Sequence, residues 1–295
     1  MKFITIRFQE KEMPALLVDD NAVLPLKAIL GESCPGSLLE LIQINDDIML
    51  QKLKQFERHL ETNTIPLDSV TLFAPIPRPV RNIICLGLNY RDHAAELSDS
   101  FAKEKLEPEA PIYFGKMATE IIGHNALINS HRQVTHAIDY EVELLAVIGQ
   151  GGTNISPENA FNHIFGYTIM NDVSARDLQQ RHSQWIRGKS LDTFTAMGPA
   201  LIHRSCFTDP PELTLSCRVN GETRQLSNTR NFIFDIPTVI SDLSKGMTLL
   251  PGDMIATGTP AGVGMGHNPP KYLNPGDQVE CMIEGIGTLT NWIDE

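Results

Sequence analysis

Apolar and polar positions alternate at the start of the chain and then recur in helical spacing. Residues 2–8, KFITIRF, alternate as a half-buried strand does, and residues 16–20 are expected to pair with them. A helix is predicted to begin after Ser37, because Ser37 is a suitable N-cap and Glu40 stands at the capping-box position. A polar helical run follows at residues 46–63. This mixture predicts a small α+β unit.

The boundary of that unit is predicted at a proline-rich segment, residues 73–80. Prolines stand at every second position, at 75, 77 and 79, so the segment can be neither a helix nor a central strand. Alternating prolines are typical of a stiff, extended linker. The sequence therefore predicts a small N-terminal domain over residues 1–72 and a main domain over residues 81–295.

The main domain is predicted to be mainly β with some α. Short apolar runs recur between Gly, Pro and Asn, whereas helical patterns occur only at 89–97, 174–184 and 235–246. The Asn220-Gly221 pair is typical of a type I′ hairpin turn. Many strands without alternating helices argue against a doubly wound sheet and for a mixed β-roll or sandwich. The overall fold class is thus α+β.

Composition narrows the function classes. The 295 residues include 24 Lys and Arg against 36 Asp and Glu, a net charge of −12, which argues against nucleic-acid binding as the main activity. No apolar run approaches the roughly 18 residues of a membrane span. Five cysteines without a C-x-x-C pair indicate reduced thiols rather than disulfides or zinc ligands. We expect a soluble, cytoplasmic protein.

Two carboxylates on one predicted strand suggest a functional site. Glu141 and Glu143 stand two residues apart, so their side chains point to the same face, about 7 Å apart along the strand. Val142 and Leu144 between and after them are apolar, which makes the other face core. Two buried acids side by side repel each other and resist ionisation, and a divalent cation would relieve that repulsion. A solvent-facing edge strand with two harmless acids explains the pattern equally well.

A third acid favours the metal site. Asp172 ends the apolar run 165–173, where the predicted strand gives way to a helix whose capping box would be Ser174 and Asp177. Three carboxylates on two strands form a set of hard oxygen ligands suited to Mg²⁺ or Mn²⁺, with positions left open for water and substrate. Glu141, Glu143 and Asp172 are the candidate ligands.

A possible acid–base pair lies in the helix predicted at 89–97, which Asn89 is expected to cap. His93 and Glu96 are three residues apart and share one face of that helix. A carboxylate beside an imidazole orients it and raises its basicity, as the activation of water requires. Pairs of this kind are usually ordinary surface pairs. The polar stretch 98–110 follows and could form a mobile lid that carries the pair.

Glycine-flanked cations and a glycine-rich turn complete the candidates. Lys116 and Lys189 each adjoin glycine, where backbone can approach a ligand. Gly188-Lys189-Ser190 is not a P-loop, because that motif needs a glycine at position 183, where this chain has Ser183. The turn at residues 257–264 could offer N–H groups to an anion, although a plain turn explains it as well.

Together these segments resemble the fumarylacetoacetate hydrolase family over about residues 80–290. The resemblance rests on five motifs in the family's order, NY-x-x-H-x-x-E, DYE-x-E, GY-x-x-x-ND-x-S-ARD-x-Q, GKS-x-D and TGTP-x-GVG. It implies a mixed β-roll, a homodimer, and Mg²⁺ or Mn²⁺ held by the three candidate acids. It also implies that His93 and Glu96 activate water and that Lys189 pairs with the substrate. Pocket residues are then expected at Lys116, Arg176, Gln179 and Thr259.

The chemistry expected of such a site is the cleavage of a C–C bond in a short 2-oxo or 2,4-dioxo acid through a metal-stabilised pyruvate enolate. Acylpyruvate hydrolysis and oxaloacetate decarboxylation are the leading activities. An isomerase or tautomerase of unsaturated oxo diacids is the alternative, disfavoured because moving a proton along an enol needs no activated water. A protein that keeps its metal only for stability, without catalysis, is a further alternative.

Overall fold

The structure is a computed structural model that describes residues 1–56, 64–101 and 107–295. Its strands are β1 (Lys2–Phe8), β2 (Lys11–Asp19), β3 (Ala22–Pro25), β4 (Ile65–Pro66), β5 (Thr71–Phe73), β6 (Ile83–Gly87), β7 (Ile112–Lys116), β8 (Leu127–Ile128), β9 (Ile138–Asp139), β10 (Val142–Ile148), β11 (Ile164–Asp172), β12 (Ser174–Ala175), β13 (Thr195–His203), β14 (Thr214–Val219), β15 (Glu222–Asn228), β16 (Met254–Ala256), β17 (Gln278–Ile283) and β18 (Gly287–Ile293). Its helices are α1 (Leu26–Leu30), α2 (Leu38–Ile44), α3 (Asp47–Phe56), α4 (Arg91–Phe101), α5 (Arg176–Arg181), α6 (Ile186–Lys189) and α7 (Ile236–Ser244). The predicted fold class, mainly β with some α, is confirmed.

Most of the strands belong to two sheets. The larger, eleven-stranded sheet has the order β4-β3-β2-β1-β13-β11-β10-β16-β6-β7, with β5 pairing with β1. The smaller has the order β15-β14-β17-β18-β8, and β9 and β12 form a separate two-stranded ribbon. The predicted hairpin joins β14 to β15, and both Asn220 (φ 50°) and Gly221 (φ 79°) have the positive φ that a type I′ turn requires.

The larger sheet rolls back on itself. Lys116 ends the edge strand β7, yet its Nζ lies 2.5 Å from Oδ1 of Asp172 at the end of β11. Three strands lie between β7 and β11 in the hydrogen-bonding order. In a flat sheet the two strands would be roughly 19 Å apart, at about 4.8 Å per step, which no lysine side chain spans. The contact therefore requires a curled sheet, as the predicted β-roll has.

Strand β10 separates two apolar cores, because its side chains alternate between the faces of the sheet. Val142 and Leu144 belong to a buried cluster with residues of β14, β17 and β18 from the smaller sheet. Leu145 and Val147 belong to a second cluster with residues of α1, α2 and α3. Since β10 pairs with β11 on one side and β16 on the other, it is a central strand. The alternative that Glu141 and Glu143 lie on a solvent-facing edge strand is therefore excluded.

The N-terminal segment shares the larger sheet with the rest of the chain. Strand β1 pairs with β2, as predicted, and also with β13, where Phe3 stands opposite Leu201. The proline-rich segment is partly buried, and Thr5 Oγ1 donates a hydrogen bond to the Pro75 carbonyl at 2.7 Å. A separate domain at 1–72 and a linker at 73–80 stay predictions.

The predicted helix starts are right in the N-terminal segment. Ser37 Oγ accepts a hydrogen bond from Glu40 N at 3.1 Å and caps α2, as predicted. The polar helix expected at 46–63 is confirmed as α3, although its last part, 57–63, lies outside the described residues. Within the described ranges, no helix is both long and apolar enough to cross a membrane.

The helix expected at 174–184 is wrong in both its start and its length. Ser174 and Ala175 pair with β9, and Ser174 Oγ donates to the Asp172 carbonyl at 2.9 Å instead of capping a helix. Asp177 accepts from Thr135 Oγ1 at 2.6 Å and has no capping box to complete, because Ser174 lies in a strand and not at a helix start. The chain forms two short helices, α5 and α6, and the second carries Lys189.

The buried bond between β1 and the proline-rich segment gives a test of the fold. Replacing Thr5 by valine removes the donor and leaves the Pro75 carbonyl unpaired in the interior. We expect the free energy of unfolding, measured by urea denaturation, to fall by about 1–2 kcal/mol. Thr71→Val, an exposed change on the adjacent strand β5, is the control and should stay within about 0.5 kcal/mol of the wild type. Equal stability of the two variants would contradict the packing.

Candidate active site

Three buried carboxylates meet where β10 begins and β11 ends. Glu141 immediately precedes β10, Glu143 is its second residue, and Asp172 is the last residue of β11. Antiparallel pairing sets Val142 opposite Asn171, so Asp172 stands across from Glu141, and Asp172 N donates to the Glu141 carbonyl at 2.9 Å. One oxygen from each carboxylate lies within 4.8 Å of the others, and all three side chains are buried. The structure thus brings the three predicted acids together.

Three buried cations lie against two of these carboxylates. Lys189 Nζ lies 2.6 Å from Glu141 Oε2 and 2.7 Å from Asp172 Oδ2. Lys116 Nζ contacts the other oxygen of Asp172, and Arg176 Nη2 lies 2.6 Å from Glu141 Oε1. Burial acts to raise the pKa of Glu141, but Lys189 and Arg176 outweigh it and lower that pKa to about 2. Glu141 and Asp172 are therefore each paired with two cations.

Glu143 is compensated less than its two neighbours. Its Oε2 accepts a hydrogen bond from Gly258 N at 2.8 Å. Among the residues that the structure describes, no cation forms an ion pair with it. Burial, followed by the charges of Asp172 and Glu141, raises the pKa of Glu143 well above its ordinary value. An additional positive charge beside Glu143 would therefore stabilise its ionised form.

The donor set fits Mg²⁺ or Mn²⁺. Carboxylate oxygens are the ligands that these hard cations prefer. With Asp139, which pairs with Arg176, four buried carboxylates face three buried cations, a net charge of −1 when all are ionised. A divalent cation would change that charge to +1 and would complete the compensation of Glu143. The resulting site would attract an anionic ligand.

His93 and Glu96 form the predicted pair on α4. His93 Nδ1 lies 3.0 Å from Glu96 Oε2, and Glu96 Oε1 accepts from Gly262 N at 3.0 Å in the glycine-rich turn. His93 lines the same cavity as Glu141 and Glu143. Because Glu96 engages Nδ1, Nε2 is the ring nitrogen left to act on a ligand in that cavity. The pair is thus part of the site rather than an ordinary surface pair.

The predicted cap of α4 is wrong, because Asn89 serves another purpose. Its side chain donates to the carbonyls of Phe234 and Thr257 and accepts from Phe234 N, all at 3.0 Å or less. These bonds tie the start of α4 to the segment before α7 and to the first residue of the glycine-rich turn. Of the stretch 98–110, predicted to be a mobile lid, residues 102–106 lie outside the described part of the chain.

A cavity of about 360 Å³ opens onto these groups. Its wall is partly polar and partly apolar, as is usual for small-molecule sites. The predicted residues on this wall are His93, Glu141, Glu143, Arg176, Gln179, Lys189 and Thr259. A larger cavity of about 950 Å³ lies between segments 66–73 and 120–126, and none of the predicted site residues lines it.

Lys116 lies elsewhere than the sequence analysis placed it. The resemblance implied a pocket residue, but Lys116 is fully buried and is absent from the described wall of the cavity. Its Nζ donates to Asp172 and to the Val173 carbonyl instead. Burial lowers the pKa of Lys116 below its ordinary value, and Asp172 offsets only part of that effect. The position suits a partner of Asp172 rather than of a ligand.

Sequence reasoning missed Asp139. Its buried carboxylate accepts from Arg176 Nε at 2.8 Å and from two N–H groups of the loop in which the glycine-rich turn ends, Gly264 at 2.6 Å and Met265 at 3.0 Å. It therefore connects that loop to the cation beside Glu141. The two-residue alternation of 141 and 143 extends back to 139, which is a signal that could have identified this residue.

Gln225 was also missed, and the sequence holds no comparable signal for it. Its fully buried side chain accepts from Val142 N at 3.1 Å and donates to Thr259 Oγ1 at 2.8 Å. Thr259 Oγ1 in turn donates to the Val142 carbonyl at 3.0 Å. These bonds hold the start of β10, and with it the two glutamates, against the glycine-rich turn.

Comparison with known proteins agrees with this geometry. The model of the fumarylacetoacetate (FAA) hydrolase C-terminal domain matches residues 82–294. "Oxaloacetate tautomerase YisK" from Bacillus subtilis (strain 168) is 46% identical over 304 aligned positions, which cover 99% of this chain and 100% of that protein. The match therefore includes the N-terminal segment as well as the residues around the cavity.

Solved structures are similar over the whole chain. "Fumarylacetoacetate hydrolase (EaFAH) from psychrophilic Exiguobacterium antarcticum" has a TM-score of 0.84 and 38% identity, covering 100% of this chain and 99% of that one. The maleylpyruvate hydrolase from Sphingobium sp. SYK-6, solved with manganese (II) ion and pyruvate, has a TM-score of 0.77, 25% identity, and coverage of 100% and 99%. The chain belongs to the fumarylacetoacetate hydrolase family.

Proposed function

We propose that this protein is a divalent-metal-dependent oxaloacetate tautomerase, which interconverts the keto and enol forms of oxaloacetate. The observation that carries the proposal is the meeting of a buried carboxylate cluster and a His–Glu pair on one small cavity. Similarity over nearly the full length to a tautomerase of oxaloacetate from Bacillus subtilis supports the choice of reaction. Glu141, Glu143 and Asp172 are the proposed metal ligands.

Substrate binding follows from the charges. Oxaloacetate is a dianion, and the site with its cation carries a positive charge that favours its entry. Lys189 is the proposed partner of a substrate oxygen. Arg176 Nη1 donates to Gln179 Oε1 at 2.9 Å, and an arginine can only donate, so the amide oxygen of Gln179 must face it. The Gln179 NH₂ group is then left to donate to a substrate carboxylate.

The proton transfer is assigned to His93. A cation held by Glu141, Glu143 and Asp172 would supply Lewis-acid stabilisation of the negative charge that develops on the substrate. His93 Nε2 removes a proton from C3 while the electron pair of that bond moves toward the C2 carbonyl oxygen. Transfer of the proton to that oxygen completes the enol, and the reverse sequence regenerates the ketone. Glu96, bonded to Nδ1, holds the ring and stabilises the imidazolium.

Cleavage of a C–C bond is the second candidate. The same His–Glu pair could activate water toward a 2,4-dioxo acid, and the similarity to a maleylpyruvate hydrolase favours this chemistry. We rank tautomerisation first, in the reverse of the order expected from the sequence. An imidazole can carry the proton itself as well as activate water, so the presence of the His–Glu pair does not count against tautomerisation.

The two candidates differ in their products and share a need for metal. We expect EDTA-treated protein to lose its acceleration of enol–keto exchange, followed by ultraviolet absorbance of the enol, and Mg²⁺ or Mn²⁺ to restore it. Carbon count should be conserved, with no pyruvate or CO₂ released above the background rate. Release of pyruvate or CO₂ at the rate of enol loss would favour cleavage. Full activity after metal removal would overturn both candidates.

Removing the proposed proton carrier tests its role. His93→Ala should lower kcat for tautomerisation by about 10²–10⁴-fold, the range for a lost acid–base catalyst. KM should change far less, because Lys189 and the metal ligands are intact. His136→Ala, a change at an exposed histidine, is the matched control and should leave both constants unchanged. Tautomerisation at the wild-type rate in His93→Ala would refute the assignment.

The position of Glu143 predicts that its replacement weakens metal binding without lowering the stability of the metal-free protein. Glu143→Gln should weaken Mn²⁺ binding, measured by calorimetry, by about 100-fold or more, because a charged ligand is lost. The melting temperature of the metal-free protein should not fall, because the substitution removes a buried acid that has no ion pair with any residue the structure describes. Glu109→Gln, at an exposed position, should change neither quantity. Unaltered Mn²⁺ affinity in Glu143→Gln would exclude it as a ligand.

A further inference from the structure

Part of the cavity wall is apolar, and its largest side chain is Trp185. Leu88, Ile112 and Phe114 contribute to the same wall. A short 2-oxo acid has oxygen atoms at its carboxylate and keto ends, and these would be drawn to Lys189 and to a cation held by the three acids. An apolar extension of the substrate beyond those groups would lie against the apolar wall. The side chains that limit this wall therefore limit the length of substrate.

The indole of Trp185 is held tightly. It packs edge-to-face on Phe114, with ring centroids 5.2 Å apart and an interplanar angle of 66°. It also lies directly on the backbone at Gly87, the last residue of β6, where an added Cβ would come within 2.5 Å of Cζ3. Only glycine leaves room for the ring in this position. The indole is therefore packed on two sides where it lines the wall.

Trp185 is also close to the cation that we assign to the substrate. Its carbonyl accepts from Gly188 N at 2.9 Å and Lys189 N at 3.1 Å, so the two side chains belong to one helical turn. Lys189 Nζ lies 5.1 Å from the centroid of the Phe114 ring, on which the indole packs. A small molecule held by Lys189 would therefore lie within reach of the indole.

We propose that Trp185 determines specificity: it closes the apolar side of the cavity and restricts the enzyme to short 2-oxo acids. This inference rests on the proposed function only in placing the 2-oxo acid group at Lys189 and the carboxylate cluster. Gly87 supports the restriction, because it lets the indole take its position against β6. A smaller residue at 185 would open the space over Gly87 and Phe114 to a longer chain.

Binding of a homologous series tests the proposal without requiring turnover. Dissociation constants of pyruvate, 2-oxobutanoate, 2-oxohexanoate and 2-oxooctanoate are measured by calorimetry on Mg²⁺-loaded protein. In the wild type we expect 2-oxooctanoate to bind roughly tenfold or more weakly than 2-oxobutanoate, as is typical when a chain exceeds its pocket. In Trp185→Ala that ratio should disappear or reverse, whereas Trp185→Phe should keep most of it. An unchanged ratio in Trp185→Ala would overturn the proposal.

A double-mutant cycle controls for general damage to the site. Gly87→Ala should displace the indole and weaken pyruvate binding several-fold in the wild-type background. The same change in the Trp185→Ala background should have little effect, because the clashing ring is gone. Equal effects of Gly87→Ala in both backgrounds would show that the two residues act independently, which contradicts the proposed arrangement.

Fluorescence provides a third measurement, since the chain has two tryptophans, Trp185 and Trp292. Trp292 lies on β18, away from the cavity wall, so Trp292→Phe leaves Trp185 as the only tryptophan, which is excited selectively at wavelengths that tyrosine does not absorb. Saturating pyruvate should change the emission of that variant and leave the emission of Trp185→Phe unchanged. The absence of any change in Trp292→Phe would overturn the proposal. If oxaloacetate is not turned over but these responses are seen, the proposed reaction fails while the role of Trp185 stands.

Discussion

Mutual repulsion among three buried carboxylates is the constraint around which this site is built. Ionised groups lose several kcal/mol of hydration when they are buried, so they need partners close by. Glu141 and Asp172 have theirs in Lys116, Arg176 and Lys189. Within the described residues Glu143 has no such cation and accepts only from Gly258 N, and burial together with its acidic neighbours raises its pKa. A divalent cation at Glu143 would complete the compensation and would make the cavity attractive to a dianion.

The rolled sheet provides these partners from distant parts of the chain. Antiparallel pairing of β10 with β11 sets the acids side by side, whereas Lys116 arrives from the far edge strand β7 only because the sheet curls. Buried Asp139 and Gln225 then fasten the glycine-rich turn and the following loop to the same place. Since Gly262 of that turn also bonds Glu96, the acid–base pair and the carboxylate cluster share one support.

Local patterns predicted the parts of this arrangement that depend on neighbours in sequence. The spacing of Glu141 and Glu143 placed them on one face, and the end of an apolar run identified Asp172. The His–Glu spacing likewise predicted a pair on one helix face. Long-range contacts were beyond such reasoning. Asn89 was expected to cap a helix but bonds Phe234 and Thr257 instead. No periodicity in the sequence indicates that Lys116, buried on β7, will contact Asp172. Nor does any indicate that the side chain of Gln225 will accept a hydrogen bond from Val142 N, as a neighbouring strand would.

Anomalous scattering from a crystal soaked with Mn²⁺ and oxalate, a mimic of the enolate, tests the central claim most directly. We expect a single strong manganese peak within bonding distance, about 2.2 Å, of oxygens from Glu141, Glu143 and Asp172, with oxalate on the same ion. Lys189 would then contact oxalate rather than bridge two carboxylates. A manganese peak elsewhere, or none while Lys189 still joins Glu141 to Asp172, would contradict it.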